Sequence, residues 1–226
     1  MGFFDAYPRF YDTSKTYGTP NRLNGRWTVL IERNKDIISG HSVLDLASHD
    51  GRWSFAAAKA GASRVHGIEG RQYLVDRALE TFAMYGVDDQ TYSFEVGDIF
   101  FHMRELSPRS FDTVFCFGMF YHTMHHMLLL SEIARLRPRH MIMDTNVTPS
   151  GDPVIHVREE GAAERDSPFE TLVGWPSTIA LELMLNKSGF ALNFLDWHAE
   201  GIQDWRGLED YRDGLRLTIR AQLRDG

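Results

Sequence analysis

Val43-Leu44-Asp45-Leu46-Ala47-Ser48-His49-Asp50-Gly51 is the stretch on which the fold turns. Its first four residues read as a buried strand. The next five, small and polar and ending in a glycine, read as a tight turn that lets backbone approach a ligand. Outward from it, β-like runs alternate with amphipathic ones. Residues 53–60 read as a helix and 64–68 as a second strand. Residues 73–85 form a helix in this reading, with Leu74, Ala78 and Phe82 on one face at four-residue spacing. Residues 92–96 alternate with period two and read as a third strand; 113–117, apolar throughout, read as a fourth. A helix at 127–136, a strand at 140–143, a helix capped by Ser177 and ended by Gly189, and a sixth strand at 191–197 follow. Leu215, Leu217, Ile219, Ala221 and Leu223 alternate with Arg216, Thr218, Arg220 and Gln222, the pattern of an edge or hairpin strand.

Strands alternating with helices predict an α/β fold: a mostly parallel sheet with helices on both faces. Residues 1–40 and 145–176 fall outside the alternation. The first is expected to be a cap segment. The second, with Pro149, Gly151, Pro153, Gly161 and Pro168, is expected to be a lid or substrate loop. All 226 residues are expected in one domain.

The chain carries 24 Lys+Arg against 31 Asp+Glu, a formal net charge of −7. That balance argues against nucleic acid bound through a broad basic surface, though not against a local basic groove. One Cys excludes an intrachain disulfide. Met1-Gly2-Phe3-Phe4-Asp5-Ala6 lacks the basic and apolar regions of a secretory signal, and Ala6 stands where myristoylation needs Ser or Thr. The longest apolar run, 114–121, is far below the ~20 residues of a membrane helix. The expectation is a cytoplasmic protein with no membrane partner, monomeric or homodimeric.

In parallel sheets ligands bind beyond the carboxyl ends of the strands. Here those ends carry Asp45 to Gly51, then Glu69-Gly70, then Gly97-Asp98-Ile99, then Gly118 to His122. A carboxylate after the second strand can accept two ribose hydroxyls, and one after the third can accept from an exocyclic amine. The spacing fails the Gly-x-Gly-x-x-Gly pattern of dinucleotide binders, which makes a nicotinamide enzyme the weaker reading.

This order resembles the class I S-adenosylmethionine-dependent methyltransferases over residues 40–145. The family's first motif reads acidic-x-Gly-x-Gly-x-Gly, and here Asp45, Ala47, His49 and Gly51 occupy those positions. The resemblance implies a Rossmann-like, mostly parallel seven-stranded sheet with an antiparallel last strand. It implies S-adenosylmethionine held by Asp45, Ala47, His49, Gly51, Glu69, Gly70, Asp98, Ile99, Gly118 and Tyr121. Two expected glycines are Ala47 and His49; at His49 a side chain stands where backbone usually faces the methionine part. In size and layout the chain looks similar to small bacterial sugar and natural-product O-methyltransferases. Leu172 to Leu181 and Gly118 to His122 also resemble segments of methyltransferases that include a tRNA uridine carboxymethyl-transfer enzyme.

A hydroxyl acceptor needs a base, or a metal that lowers its pKa. His122 is the candidate general base. His122, His125 and His126 could share a helical face and bind a metal. Asp144 is the second catalytic candidate, as a substrate contact or as the orienter of His122. With Asn146 it resembles the Asp-Asn pair of magnesium-dependent catechol-type enzymes, so Mg2+ is a second cofactor to test. Tyr11, Arg22 and Asn24 are candidates for the cofactor carboxylate or the substrate. The expectation is methyl transfer to a small hydroxylated acceptor such as a sugar, with nucleic acid disfavoured. A tRNA modifier and a cofactor-binding module without activity are the alternatives.

Overall fold

The computed structural model describes residues 2–14, 18–161, 168–169 and 171–224. The opening stretch folds as read: β1 (Ser42–Leu46) is buried from Val43 onward and runs into the turn before α2 (Arg52–Lys59). The pattern repeats through β2 (Arg64–Glu69), α3 (Gln72–Met84), β3 (Tyr92–Val96), α4 (Ile99–Glu105), β4 (Thr113–Phe117), α5 (His126–Arg135) and β5 (His140–Asn146). These five strands are parallel, in the order β3-β2-β1-β4-β5. The order reverses at β1, so a crevice opens between the turns after β1 and β4.

After β5 the chain forms an antiparallel hairpin of its own, β6 (Ile155–Glu159) with β7 (Leu172–Pro176). It then returns through α6 (Thr178–Lys187) to β8 (Phe190–Phe194), α7 (Glu209–Arg212) and β9 (Arg216–Leu223). The region expected as a lid therefore contains a small sheet, and its residues 162–167 and 170 lie outside the described residues. The sheet has seven strands with β9 antiparallel to both β5 and β8, the Rossmann-like methyltransferase architecture. Of the two readings of its alternation, edge or hairpin strand, β9 is not an edge. It lies inside the sheet, and Arg216 and Thr218, polar positions of the alternation, are buried.

Two apolar layers hold the sheet. One packs Ile99 and Met103 of α4, Leu129 and Ile133 of α5 and Leu181 of α6 against Leu44, Leu46 and Val114. The other packs Leu23 and Leu30 of α1 (Thr19–Leu30), Phe55 of α2 and Phe82 of α3 against Val43, Val65 and Phe115. The N-terminal turns join this second layer through Phe4 and Phe10, which meet Trp53 and Phe55 at ring-centroid distances of 5.6 and 5.1 Å. Emptying such a site, as Phe55→Ala would, costs about 3–5 kcal/mol. The cap segment is thus part of the core and fixes one wall of the crevice. Among the described residues no helix is long and apolar enough to cross a membrane.

Candidate functional site

The turn after β1 shows how Ala47 and His49 stand in for glycine. Ala47 and His49 both have φ 55°, and Gly51 has φ 72°. All three alternate positions therefore take the left-handed backbone that the family's glycines favour. The conformation costs an L-residue about 1–2 kcal/mol, and burial of the turn holds it in place. Gly51 cannot be replaced so readily: a Cβ there would lie 2.9 Å from Ala78 Cβ and 3.0 Å from Phe94 Cζ.

Carboxylates secure this turn. Asp45 is buried and accepts from Ser54 Oγ at 2.7 Å; burial, reinforced by nearby Glu69 and Asp50, pushes its pKa up to about 7. Asp50 is also buried, but the guanidinium of Arg52 at 2.7 Å and His49 outweigh the burial and hold its carboxyl well below the usual range. Glu69 is 3% exposed. One of its oxygens accepts from His49 N at 3.0 Å; the other accepts from Arg71 N and Arg71 Nη1 at 3.1 and 3.2 Å. It ties the turn after β1 to the turn after β2. A carboxylate has about four lone-pair positions, so acceptor capacity is left for ribose hydroxyls. Beside it, a Cβ on Gly70 would come within 2.7 Å of Pro168 and Phe169, so the β6–β7 connection covers this end of the crevice.

Asp98 caps α4: its Oδ1 accepts from Phe100 N and Phe101 N at 2.8 and 3.1 Å. Oδ2 takes no part in the cap. Ile99 is buried beside it. Gly118, at φ 69°, ends β4 with its N–H on Asp144 O at 2.8 Å, and the chain then makes a short 3-10 turn through Tyr121 and His122. His122 Nδ1 lies 2.7 Å from Glu160 Oε2, and both side chains are largely buried. Glu160, just past β6, was not legible as a partner because 38 residues separate it from His122. With Nδ1–H donated to a carboxylate, the imidazole has Nε2 as its acceptor.

The end of β5 corrects the metal expectation. Asp144 is fully buried. It accepts from Arg216 Nε at 2.7 Å, from Arg26 Nη2 at 3.0 Å, from Tyr211 Oη at 2.7 Å and from Thr218 Oγ1 at 3.2 Å. Burial alone would raise its pKa, but Arg216 and Arg26 hold it at about 2. A carboxylate enclosed by two guanidiniums does not fit a divalent cation. Asn146 Oδ1 likewise accepts from Arg216 Nη1 at 3.0 Å. Neither oxygen of Asp144 is open to substrate or to His122, so its part is to position Arg216 and Arg26. Arg216, which the sequence reading left out, also reaches Tyr121 Oη at 3.4 Å and stands below Gly118.

The three-histidine face is not formed. His126 is buried with Nε2 on Gly174 O at 3.0 Å, and among the described residues no group of His, Cys, Asp and Glu could hold a metal ion. Three N-terminal candidates are engaged elsewhere. Arg22 grips Asp210 with two bonds of 2.7 Å and ties α1 to α7. Asn24 Oδ1 accepts from Phe4 N at 2.8 Å, and Tyr11 Oη donates to Asp5 at 2.6 Å. Burial and the Asp5 bond push the Tyr11 pKa up to about 12. From this segment Thr13 and Arg26 reach the crevice, through Asp50 and Asp144.

Comparison with known proteins agrees with this geometry. Residues 43–138 match the model of a family described as a methyltransferase domain. The chain has the Rossmann-like fold of such methyltransferases. Two curated relatives, each named tRNA U34 carboxymethyltransferase, share its sequence. The protein of Idiomarina loihiensis is 28% identical over 98% of this chain and 71% of its own length. That of Alteromonas mediterranea is 27% identical over 68% of this chain and 46% of its own, so the chain spans about half the length of that relative. Among solved structures, the N-terminal domain of EvdMO1, determined in the presence of SAH and D-fucose, superposes with a TM-score of 0.67 at 19% identity. That match covers 85% of this chain and 81% of the other. The residues around the crevice fit an adenosyl sulfonium compound: a glycine-like turn follows β1, Glu69 at the end of β2 keeps acceptor capacity for hydroxyls, and Asp98 Oδ2 takes no part in the helix cap after β3.

Proposed function

We propose that the domain transfers a methyl group from S-adenosylmethionine to a hydroxyl of a polar acceptor, with His122 as general base. The pairing of His122 Nδ1 with Glu160 Oε2 at 2.7 Å, at the end of β4, carries this reading. S-adenosylmethionine supplies a methyl group activated by its sulfonium. Glu69 and Asp98 hold the nucleoside part, and the turn from Ala47 to Gly51 faces the amino-acid part. Glu160 is a positioning residue: it fixes the imidazole and stabilises the imidazolium that forms when Nε2 takes the acceptor's proton. The cap segment and the β6–β7 hairpin wall the crevice, and the hairpin acts as a lid because it brings Glu160 and Phe169. A small hydroxylated molecule such as a sugar suits the acidic chain.

The curated relatives favour a second reading, transfer of a carboxymethyl group to a tRNA uridine, because the likeness to one of them runs over 98% of this chain. Such a donor carries a carboxylate next to the moving carbon, and Arg216 beside Tyr121 is a cation at the right strand ends. Two arms separate the readings: methyl-labelled S-adenosylmethionine with hydroxylated metabolites in one, and in the other its analogue with a carboxylate on the labelled methyl carbon, offered with tRNA. The first reading expects label in a small molecule, and a loss of at least 100-fold in kcat for His122→Gln with cofactor affinity kept. Full turnover in that variant contradicts the assignment of the base.

A further inference from the structure

The opposite, amino edge of the sheet has chemistry that methyl transfer does not use. A pocket of about 460 Å³ opens there between the turn before β4, the turn before β5 and the end of β9. Arg109, Arg137, Arg139 and Arg224 line it, together with His140 and one carboxylate, Asp112. In a chain with a net charge of −7 this is a local reversal of sign. Asp112 does not cancel it. It offsets one charge of the four: its Oδ2 accepts from Ser42 N and Ser42 Oγ at 3.0 and 2.9 Å, and its Oδ1 pairs with Arg139 at 3.8 Å. Arg224 donates to the neutral Asn186 at 2.9 Å. Among the described residues, the guanidiniums of Arg109 and Arg137 have no ion-pair or hydrogen-bond partner.

The backbone singles out the same two arginines. Four non-glycine residues of the described chain have positive φ: Ala47 and His49, and Arg109 at 63° and Arg137 at 52°. Glycine occupies eleven other positive-φ positions. Glycine would relieve Arg109 and Arg137 too. Ala47 and His49 lie in the turn that faces the cofactor crevice. Arg109 and Arg137 lie in this pocket, with Arg109 N on Leu136 O at 2.7 Å and Arg137 N on Ala134 O at 3.0 Å holding the two turns in place. Backbone strain of this kind persists where a site requires it.

We infer that this pocket is a second binding site, one that takes phosphoryl groups. Guanidinium forks match phosphate oxygens two at a time and stay charged at every physiological pH. Four of them against the one carboxylate of Asp112 leave three positive charges in excess, which favours phosphate or pyrophosphate over a monocarboxylate. The volume is within the range of small-ligand pockets. The site stands at the sheet edge away from the crevice, so it is independent of the acceptor proposed above.

The test is calorimetric titration of the full chain with inorganic pyrophosphate, in parallel with Arg109→Gly/Arg137→Gly. Wild-type protein is expected to bind saturably and more weakly as salt rises. The double variant is expected to lose at least 10-fold in affinity, with an unchanged or higher Tm and unchanged affinity for S-adenosylhomocysteine. Arg109→Gln/Arg137→Gln must show the same loss, which covers a folding failure of the glycine pair. A short RNA added in competition identifies the source of the phosphate. Displacement of pyrophosphate that disappears in the variants means a phosphodiester backbone; no displacement means a small phosphorylated molecule. Absence of saturable pyrophosphate binding, or equal binding by the variants, overturns the site.

Discussion

Asp45 and Asp144 make an instructive pair. Each is a buried aspartate, one on β1 and one on β5, and each lies near the carboxyl edge of the same sheet. Asp45 meets a hydroxyl, that of Ser54, and has Glu69 and Asp50 for neighbours; its pKa rises to about 7. Asp144 meets Arg216 and Arg26, and its pKa falls to about 2. Burial is common to both, so the partners decide the charge. The same contrast separates a ligand site from a structural knot. Around Asp45 and Glu69 the donors are backbone N–H groups, the Ser54 hydroxyl and a single guanidinium, that of Arg71, with acceptor capacity to spare. Around Asp144 every oxygen faces a fixed cation or hydroxyl, and the region holds α1, β5, α7 and β9 together.

The contrast breaks most visibly on removal of the knot's carboxylate. Asp144→Ala leaves two buried guanidiniums without their counter-charge and is expected to destabilise the fold by about 3–5 kcal/mol in urea unfolding. A change under 1 kcal/mol would show that the knot is dispensable.

A pH series sharpens it next, because the two aspartates have opposite signs. Asp45 has its folded pKa raised above the unfolded value of about 3.9, so its stabilising share is full below about pH 4 and lost as pH rises through about 7. Asp144 has its folded pKa depressed, so its share is present above about pH 4 and lost as pH falls toward about 2, a loss on the order of 2–3 kcal/mol. Asp45→Asn removes the first effect. It is expected to be more stable than the parent at pH 7.5, by up to about 4 kcal/mol, and to lose that advantage at pH 4. Parallel stability curves for the two proteins would place the charge of Asp45 elsewhere.

The smallest effect belongs to the turn itself. Ala47→Gly removes left-handed strain but frees the unfolded chain, so it is expected to stabilise by no more than about 1 kcal/mol. Destabilisation beyond that would mean the Ala47 methyl packs where glycine cannot substitute.

The first half of the sheet was readable because its signals are local. β1 to β5 announce themselves by apolar runs and period, and acids stand at or just past the ends of β1, β2 and β3. Asp98, expected as a ligand contact, uses one oxygen to cap α4 and leaves the other. The second half was not readable because its pairings are distant. Arg26 and Asp144 are 118 residues apart, and Arg216 and Asp144 are 72 apart. Alternation marks Arg216 and Thr218 as polar positions of a strand; their burial in β9 follows from the carboxylate of Asp144 on the neighbouring strand, which no periodicity reports. The Asp144–Asn146 pair read as a metal site for the same reason, since the two guanidiniums that exclude a cation come from opposite ends of the chain.

Glu69 is the most direct point of attack on the cofactor crevice. Calorimetric titration of wild-type protein and Glu69→Ala with S-adenosylhomocysteine, at equal folded fraction, should give one site in the wild type and a loss of at least 10-fold in the variant. Equal affinities, or no binding by the wild type, would contradict a nucleoside held at the end of β2.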